Sequence, residues 1–119
     1  MNKMAEVEAR KIDWSRAPIV FKKTGSRPVL WQTIKKGLIF KNVQVVSAYA
    51  TGYAVCVKTS SGIKPFAEIN TVETQDGNKY IDNIWFPIEY PKQLSRKITK
   101  IIIPKIRMKF PEHELPGDA

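Results

Sequence analysis

The chain has one cysteine and one histidine among its 119 residues, and each scarcity excludes a class of protein. Cys56 has no partner within the chain, so a secreted scaffold stapled by internal disulfides is ruled out. It sits in Tyr53-Ala54-Val55-Cys56-Val57, where nothing nearby in sequence would lower a thiol pKa, and so reads as a small buried hydrophobe. His113 lies between Glu112 and Glu114 in an expected acidic, solvated tail, and three adjacent polar residues are not ligands fixed by a fold. No metal and no cofactor are expected. No apolar run approaches the roughly 20 residues of a membrane-spanning helix. Residues 1–13 alternate charged and apolar side chains instead of supplying the apolar core of a signal peptide. The expectation is a cytoplasmic protein with no membrane partner.

Chemistry-bearing motifs are missing as well. Neither Gly-x-x-x-x-Gly-Lys-Ser/Thr nor Gly-x-Gly-x-x-Gly occurs, which argues against nucleotide-driven chemistry. The central carboxylates Glu68, Glu73, Asp76, Asp82 and Glu89 are spread over a turn and separate expected strands, where they read as ordinary surface charges. No catalytic residues are assigned, and an enzyme is not expected.

What the chain does have is charge of one sign. Its 20 Lys and Arg outnumber 11 Asp and Glu, for a net charge of +9. Residues 1–36 carry +6, residues 37–90 carry −1, residues 91–110 carry +7 with no acid, and residues 111–119 carry −3. Two basic flanks enclose a near-neutral middle. If the flanks share one face their fields add and attract a polyanion over a Debye length, roughly 8 Å at physiological salt; on opposite faces they mainly confer solubility. The sequence leaves both arrangements open.

Hydrophobic residues make up 43% of the chain, enough for one core without disulfides or metal. Residues 1–13 are expected as a mobile arm or short helix, 14–110 as a single β-rich domain and 111–119 as the acidic tail. Ile19-Val20-Phe21 begins a strand, Thr24-Gly25-Ser26 reads as a turn, and residues 28–36 fit either a strand or a helical turn. Residues 38–49 and 53–59 read as two strands of a hairpin about Ala50-Thr51-Gly52. Ser60-Ser61-Gly62 punctuates, Pro65 argues for an edge or a bulge, and Gln75-Asp76-Gly77-Asn78 is the strongest turn signal. Residues 79–90 read as a strand with Tyr80, Ile84, Phe86, Ile88 and Tyr90 on one face. For residues 91–103 helix and strand compete, and the alternation of residues 105–110 predicts a strand whose outer face is Lys105, Arg107 and Lys109. The predicted fold class is β-rich, all-β or α+β. It is an antiparallel meander curling into a small SH3-like or OB-like barrel with at most two short helices.

The functional expectation is a nonenzymatic nucleic-acid-binding protein that contacts the phosphate backbone of DNA or RNA with little base specificity. No recognition-helix, zinc-finger or RNP-type motif is legible. On the N-terminal flank the candidates are Lys22, Lys23, Arg27, Lys35 and Lys36, with Trp14 and Trp31 as stacking rings. On the C-terminal flank they are Arg96, Lys97, Lys100, Lys105, Arg107 and Lys109. Trp14, in a polar irregular stretch, is the ring expected to be exposed, while Phe21 and Trp31 also fit a core. The alternative is a protein-binding adaptor or inhibitor of the kind carried by phage and mobile elements, or a small subunit of a larger assembly. Its basic face would dock on an acidic protein partner.

Overall fold

Four segments of the chain rich in β-branched and aromatic residues pair into one antiparallel meander. The computed structural model describes residues 4–36 and 41–115, with side chains described for 6–32 and 45–115. Helix α1 (Met4–Lys11) leads into β1 (Ile19–Lys36), β2 (Lys41–Thr59), β3 (Gly62–Thr74) and β4 (Lys79–Trp85), followed by α2 (Lys92–Lys109). The sheet order is β1-β2-β3-β4, and the sheet is not closed into a barrel. Among the described residues no helix is long and apolar enough to cross a membrane.

Several local expectations are corrected. Ala50-Thr51-Gly52 is not a turn: β2 runs through it because β1 and β3 flank it, with Gly52 opposite Gly25 on one side and Asn70 on the other. Thr24-Gly25-Ser26 likewise lies inside β1, where the register slips between Lys23 and Gly25 and leaves Thr24 as a bulge. Pro65 does accompany a bulge, since Ala67 and Pro65 pair with consecutive residues of β2 and Phe66 is left to turn into the core at 3% exposure. Gln75-Asp76-Gly77-Asn78 forms the β3–β4 turn, with Gly77 at φ +88°. A slip in β4 puts Tyr80 opposite Val72 but Ile84 opposite Ile69, so the even residues do not share one face.

Residues 91–110 are not a strand, despite three consecutive isoleucines. Leu94, Ile98, Ile102 and Ile106 recur every four residues and are all buried, which makes an amphipathic helix the arrangement that hides them. They join Val55, Val57, Phe66, Ala67, Ile69 and Ile81 of the sheet in one core. Each fully buried isoleucine there contributes about 1.5–3 kcal/mol. Pro104 interrupts the helix ladder, and because it is exposed the Lys100 carbonyl it leaves unpaired is on the wet side.

The N-terminal segment and the tail are both tied to this core. Trp14 is 3% exposed, donates its ring N–H to the Ala9 carbonyl at 2.9 Å and meets Phe66 edge-on at 4.5 Å. The expected exposure of Trp14 is therefore wrong: the Trp14 indole finds a carbonyl inside its own turn and needs no solvent. The start of the tail carries exposed Pro111, Glu112 and Glu114 but is not detached from the fold. Leu115 is 4% exposed, and Glu114 brackets the outer edge of β4 by accepting from Ile81 N–H at 2.7 Å and donating to the Lys79 carbonyl at 3.0 Å.

The opposite face of the sheet has a smaller core made without a helix. Ala48, Ala50 and Val72 are buried beneath Val29, Trp31 and Tyr80. Trp31 of β1 stacks on Tyr80 of β4 at 5.7 Å, although three strand spacings in a flat sheet separate backbones by roughly 14 Å. The alanines of β2 leave room for these two large rings to fold inward over a curled sheet.

Candidate functional site

The cationic helix is the most concentrated charge in the fold. α2 holds seven Lys and Arg and no acid in 18 residues. At about 100° per residue, Arg96, Lys100 and Arg107 fall within an arc of about 40° directly opposite the buried isoleucine stripe. Lys97 flanks that arc, and all four side chains are exposed. Arg96, Lys97 and Lys100 have no carboxylate partner among the described residues. By contrast, Arg10 pairs with Glu6, Arg16 with Asp13, Lys64 with Glu8 and Lys79 with Glu112.

The predicted row of Lys105, Arg107 and Lys109 does not exist, because helical phase turns Arg107 away from the other two. Lys105 is half-buried and donates to the Ala17 carbonyl at 3.0 Å, so it anchors α2 to the segment before β1. Lys109 is exposed in the last helical turn, where a cation complements the helix dipole.

The N-terminal candidates are divided between faces. Lys23 lies opposite Tyr53 on the helix side, whereas Lys22 and Arg27 lie opposite Ala54 and Ala50 on the helix-free side. Lys35 and Lys36 stand at the far end of the β1–β2 ribbon, opposite Asn42 and Lys41. Arg10 and Lys97 line one groove between α1 and α2, beside Trp14 and Leu94. The two flanks thus meet at the α1–α2 groove but are not gathered into a single patch. Trp31 is committed to its stack on Tyr80.

Two features escaped the sequence reading. From Trp14 to Ala67 the chain contains nine Lys and Arg and no acid, a run that covers the whole β1–β2 hairpin. A segment boundary at residue 37 cuts it in half, while counting acids alone would have found it. The other is Trp85, 41% exposed beside a groove lined by Pro65, Phe66, Pro87 and Ile88. Ile88 is 97% exposed at its rim.

On the helix-free side a polar cleft lies over Gly52, lined by Thr24, Arg27, Glu68 and Asn70. A Cβ at Gly52 would meet Thr24 Oγ1 at 2.6 Å and Asn70 Oδ1 at 3.2 Å, so any larger residue there forces these converging side chains to shift.

The titratable groups are consistent with structural duties. Burial pushes the Cys56 thiol up, against a smaller opposing pull from Lys22, which suppresses thiolate. Burial also holds the His113 imidazole below its ordinary value, with Lys79 adding to the effect. His113 packs edge-on against Phe110 at 5.3 Å, and its Nδ1 is buried without a hydrogen-bond partner. Glu112 is lowered and Lys79 raised by their mutual 2.8 Å hydrogen bond. No group of three or more metal-ligating side chains occurs among the described residues. No family model, no curated protein and no solved structure matches this chain.

Proposed function

We propose that the chain is a nonenzymatic nucleic-acid-binding protein that contacts phosphates through the outer face of α2. The observation that carries this reading is the acid-free arc of Arg96, Lys100 and Arg107, flanked by Lys97 on a helix anchored by four buried residues. Arg96 and Arg107 are eleven residues apart, roughly 16 Å along the axis, and Lys100 lies between them. That length spans several phosphates of a nucleic-acid backbone. Cations at this spacing contact phosphates without reading base edges, so affinity responds to salt more than to sequence.

The test is the triple variant Arg96→Gln, Lys97→Gln and Lys100→Gln, titrated with single-stranded DNA, duplex DNA and RNA over a range of salt, with heparin as the polyanion control. Loss of three phosphate contacts flattens the log–log salt slope by about 2–3. An unchanged slope and affinity would refute the reading. Equal weak binding of all four polyanions by the parent chain would reduce the charge to general stickiness.

A second reading, docking on a protein partner, is favoured by the exposed Trp85 and Ile88 beside their groove, since large exposed apolar groups mark interaction surfaces. A stoichiometric complex that survives nuclease and is lost in Trp85→Ser supports it. Nuclease-sensitive recovery of many proteins counts against it.

A further inference from the structure

The sheet narrows to a two-stranded ribbon beyond Ala48. β3 stops pairing there, and the Gln75 N–H makes the last bond, to the Ser47 carbonyl at 3.2 Å. β2 continues to Lys41 paired only with β1, in unbroken register from Gly25 opposite Gly52 to Lys36 opposite Lys41. In an antiparallel strand a residue's N–H and C=O point to the same side and alternate between successive residues. The main-chain groups of Lys41, Val43 and Val45 therefore point, like those of Ser47, into the lane that β3 has vacated. No described strand occupies that lane.

The other two edges are defended. Glu114 brackets β4. β1 has the Thr24 bulge, Pro28 with its missing N–H turned outward, and exposed Lys22, Lys23 and Arg27, all of which discourage pairing. Residues 41–45 of β2 have neither proline nor bulge. Leu30 and Val45, 75% and 62% exposed, share the same bare ribbon face. Two strands alone are marginally stable in water, and additional strands are the usual remedy.

We propose that this edge pairs with the same edge of a second copy, antiparallel about a twofold axis at Val43, to give one sheet ordered β1-β2-β2-β1 across the two chains. The occupant follows from self-complementarity, because a twofold places identical free groups opposite one another. Lys41 faces the partner's Val45, and Val43 faces the partner's Val43. Three such pairs exchange about six main-chain hydrogen bonds. Lys41 and the partner's Lys41 are four residues apart along the seam, roughly 13 Å, beyond the screening length of roughly 8 Å. A seam of five residues is below the usual size of a permanent interface, so the dimer forms at micromolar to millimolar concentration. This inference does not depend on nucleic-acid binding.

The experiment is sedimentation equilibrium of the full chain, nuclease-treated and at high salt so that no polyanion bridges the copies. The mass should rise with concentration from 13.6 kDa toward twice that value. Val45→Pro removes one outward N–H, leaves the β1 ladder intact and should raise the dissociation constant at least tenfold. Val43→Cys, with the buried Cys56 left in place, should form a disulfide dimer on mild oxidation, because a hydrogen-bonded pair sets its Cα atoms about 5.5 Å apart. Ser60→Cys, far from the seam, is the control. A mass of 13.6 kDa at every concentration overturns the proposal. So does a folded Val45→Pro variant that dimerises like the parent, or a Val43→Cys variant that cross-links no faster than the control. If Val45→Pro does not fold, the cysteine comparison decides.

Discussion

Truncating Ile102 tests the central packing of the fold. Ile102 is fully buried, as are Ile98 and Ile106 one turn to either side, so the surrounding wall cannot collapse freely into a vacated space. Ile102→Ala removes three carbons, about 2.4 kcal/mol at about 0.8 kcal/mol each. The residual cavity raises the loss to about 3–4 kcal/mol, inside the range of about 2–5 seen for such truncations. A domain of this size has about 5–15 kcal/mol in total and loses about 4–6 °C of Tm per kcal/mol, so Tm should fall by about 12–24 °C. Urea unfolding followed by tryptophan fluorescence is the assay, since buried Trp14 changes environment when the same core opens. Met108→Ala, at a position 83% exposed on the same helix, should stay within about 0.5 kcal/mol. A loss below about 1 kcal/mol for Ile102→Ala would refute the docking of α2 on the sheet.

Other outcomes follow from single features. Gly52→Ala should cost about 1–3 kcal/mol by forcing apart Thr24 and Asn70, and Thr24→Ala in the same chain should recover part of it; a neutral Gly52→Ala would contradict the close approach. Pro104→Ala should stabilise by about 1–3 kcal/mol by restoring the N–H to the Lys100 carbonyl, and a loss in chemical denaturation would show that the proline is needed to fit α2 to the sheet. His113 has a lowered folded pKa, so its contribution is intact above the ordinary value of 6.5, where both states are neutral, and is lost as pH falls through the lowered folded value. It is the only histidine, so His113→Gln should flatten stability against pH across that window; an unchanged profile would assign the slope to another group.

Turns with their own chemistry were legible in the sequence. Asp76-Gly77 and Ser61-Gly62 have glycines at positive φ, and the hairpins form where those residues stand. Gly25 and Gly52 have the same residue type without the same role, because what decides between turn and strand there is the pairing of distant segments, Gly25 opposite Gly52. The state of residues 91–103 was ambiguous for a similar reason. β-branched isoleucine favours a strand locally, and the four-residue recurrence through Ile106 is decisive only once a single sheet face is available to receive it. Of the candidate site, Arg96, Lys97 and Lys100 could be read from charge counting. Alternation alone separates Lys22 from Lys23, but that Arg27 shares a face with Lys22 depends on a one-residue slip at Thr24, which leaves no mark in composition.

The position of α2 in chain order governs how the protein is made. All four strands precede it, so during synthesis Val55, Ile69 and Ile81 are on a sheet face that lacks the cover of α2 and has only the segment of Ala9 and Trp14 against it until Ile106 has emerged. The interval from the end of β4 to the end of α2 is about 24 residues, about 1–5 s at about 5–20 residues per second. Over that interval the nascent sheet has a partly covered apolar face that a chaperone can hold or that can aggregate. Chains released at residue 91 should bind a hydrophobic dye and associate with holding chaperones, whereas the full chain should do neither. If the shorter chains prove soluble and dye-silent, the sheet does not assemble before its helix arrives.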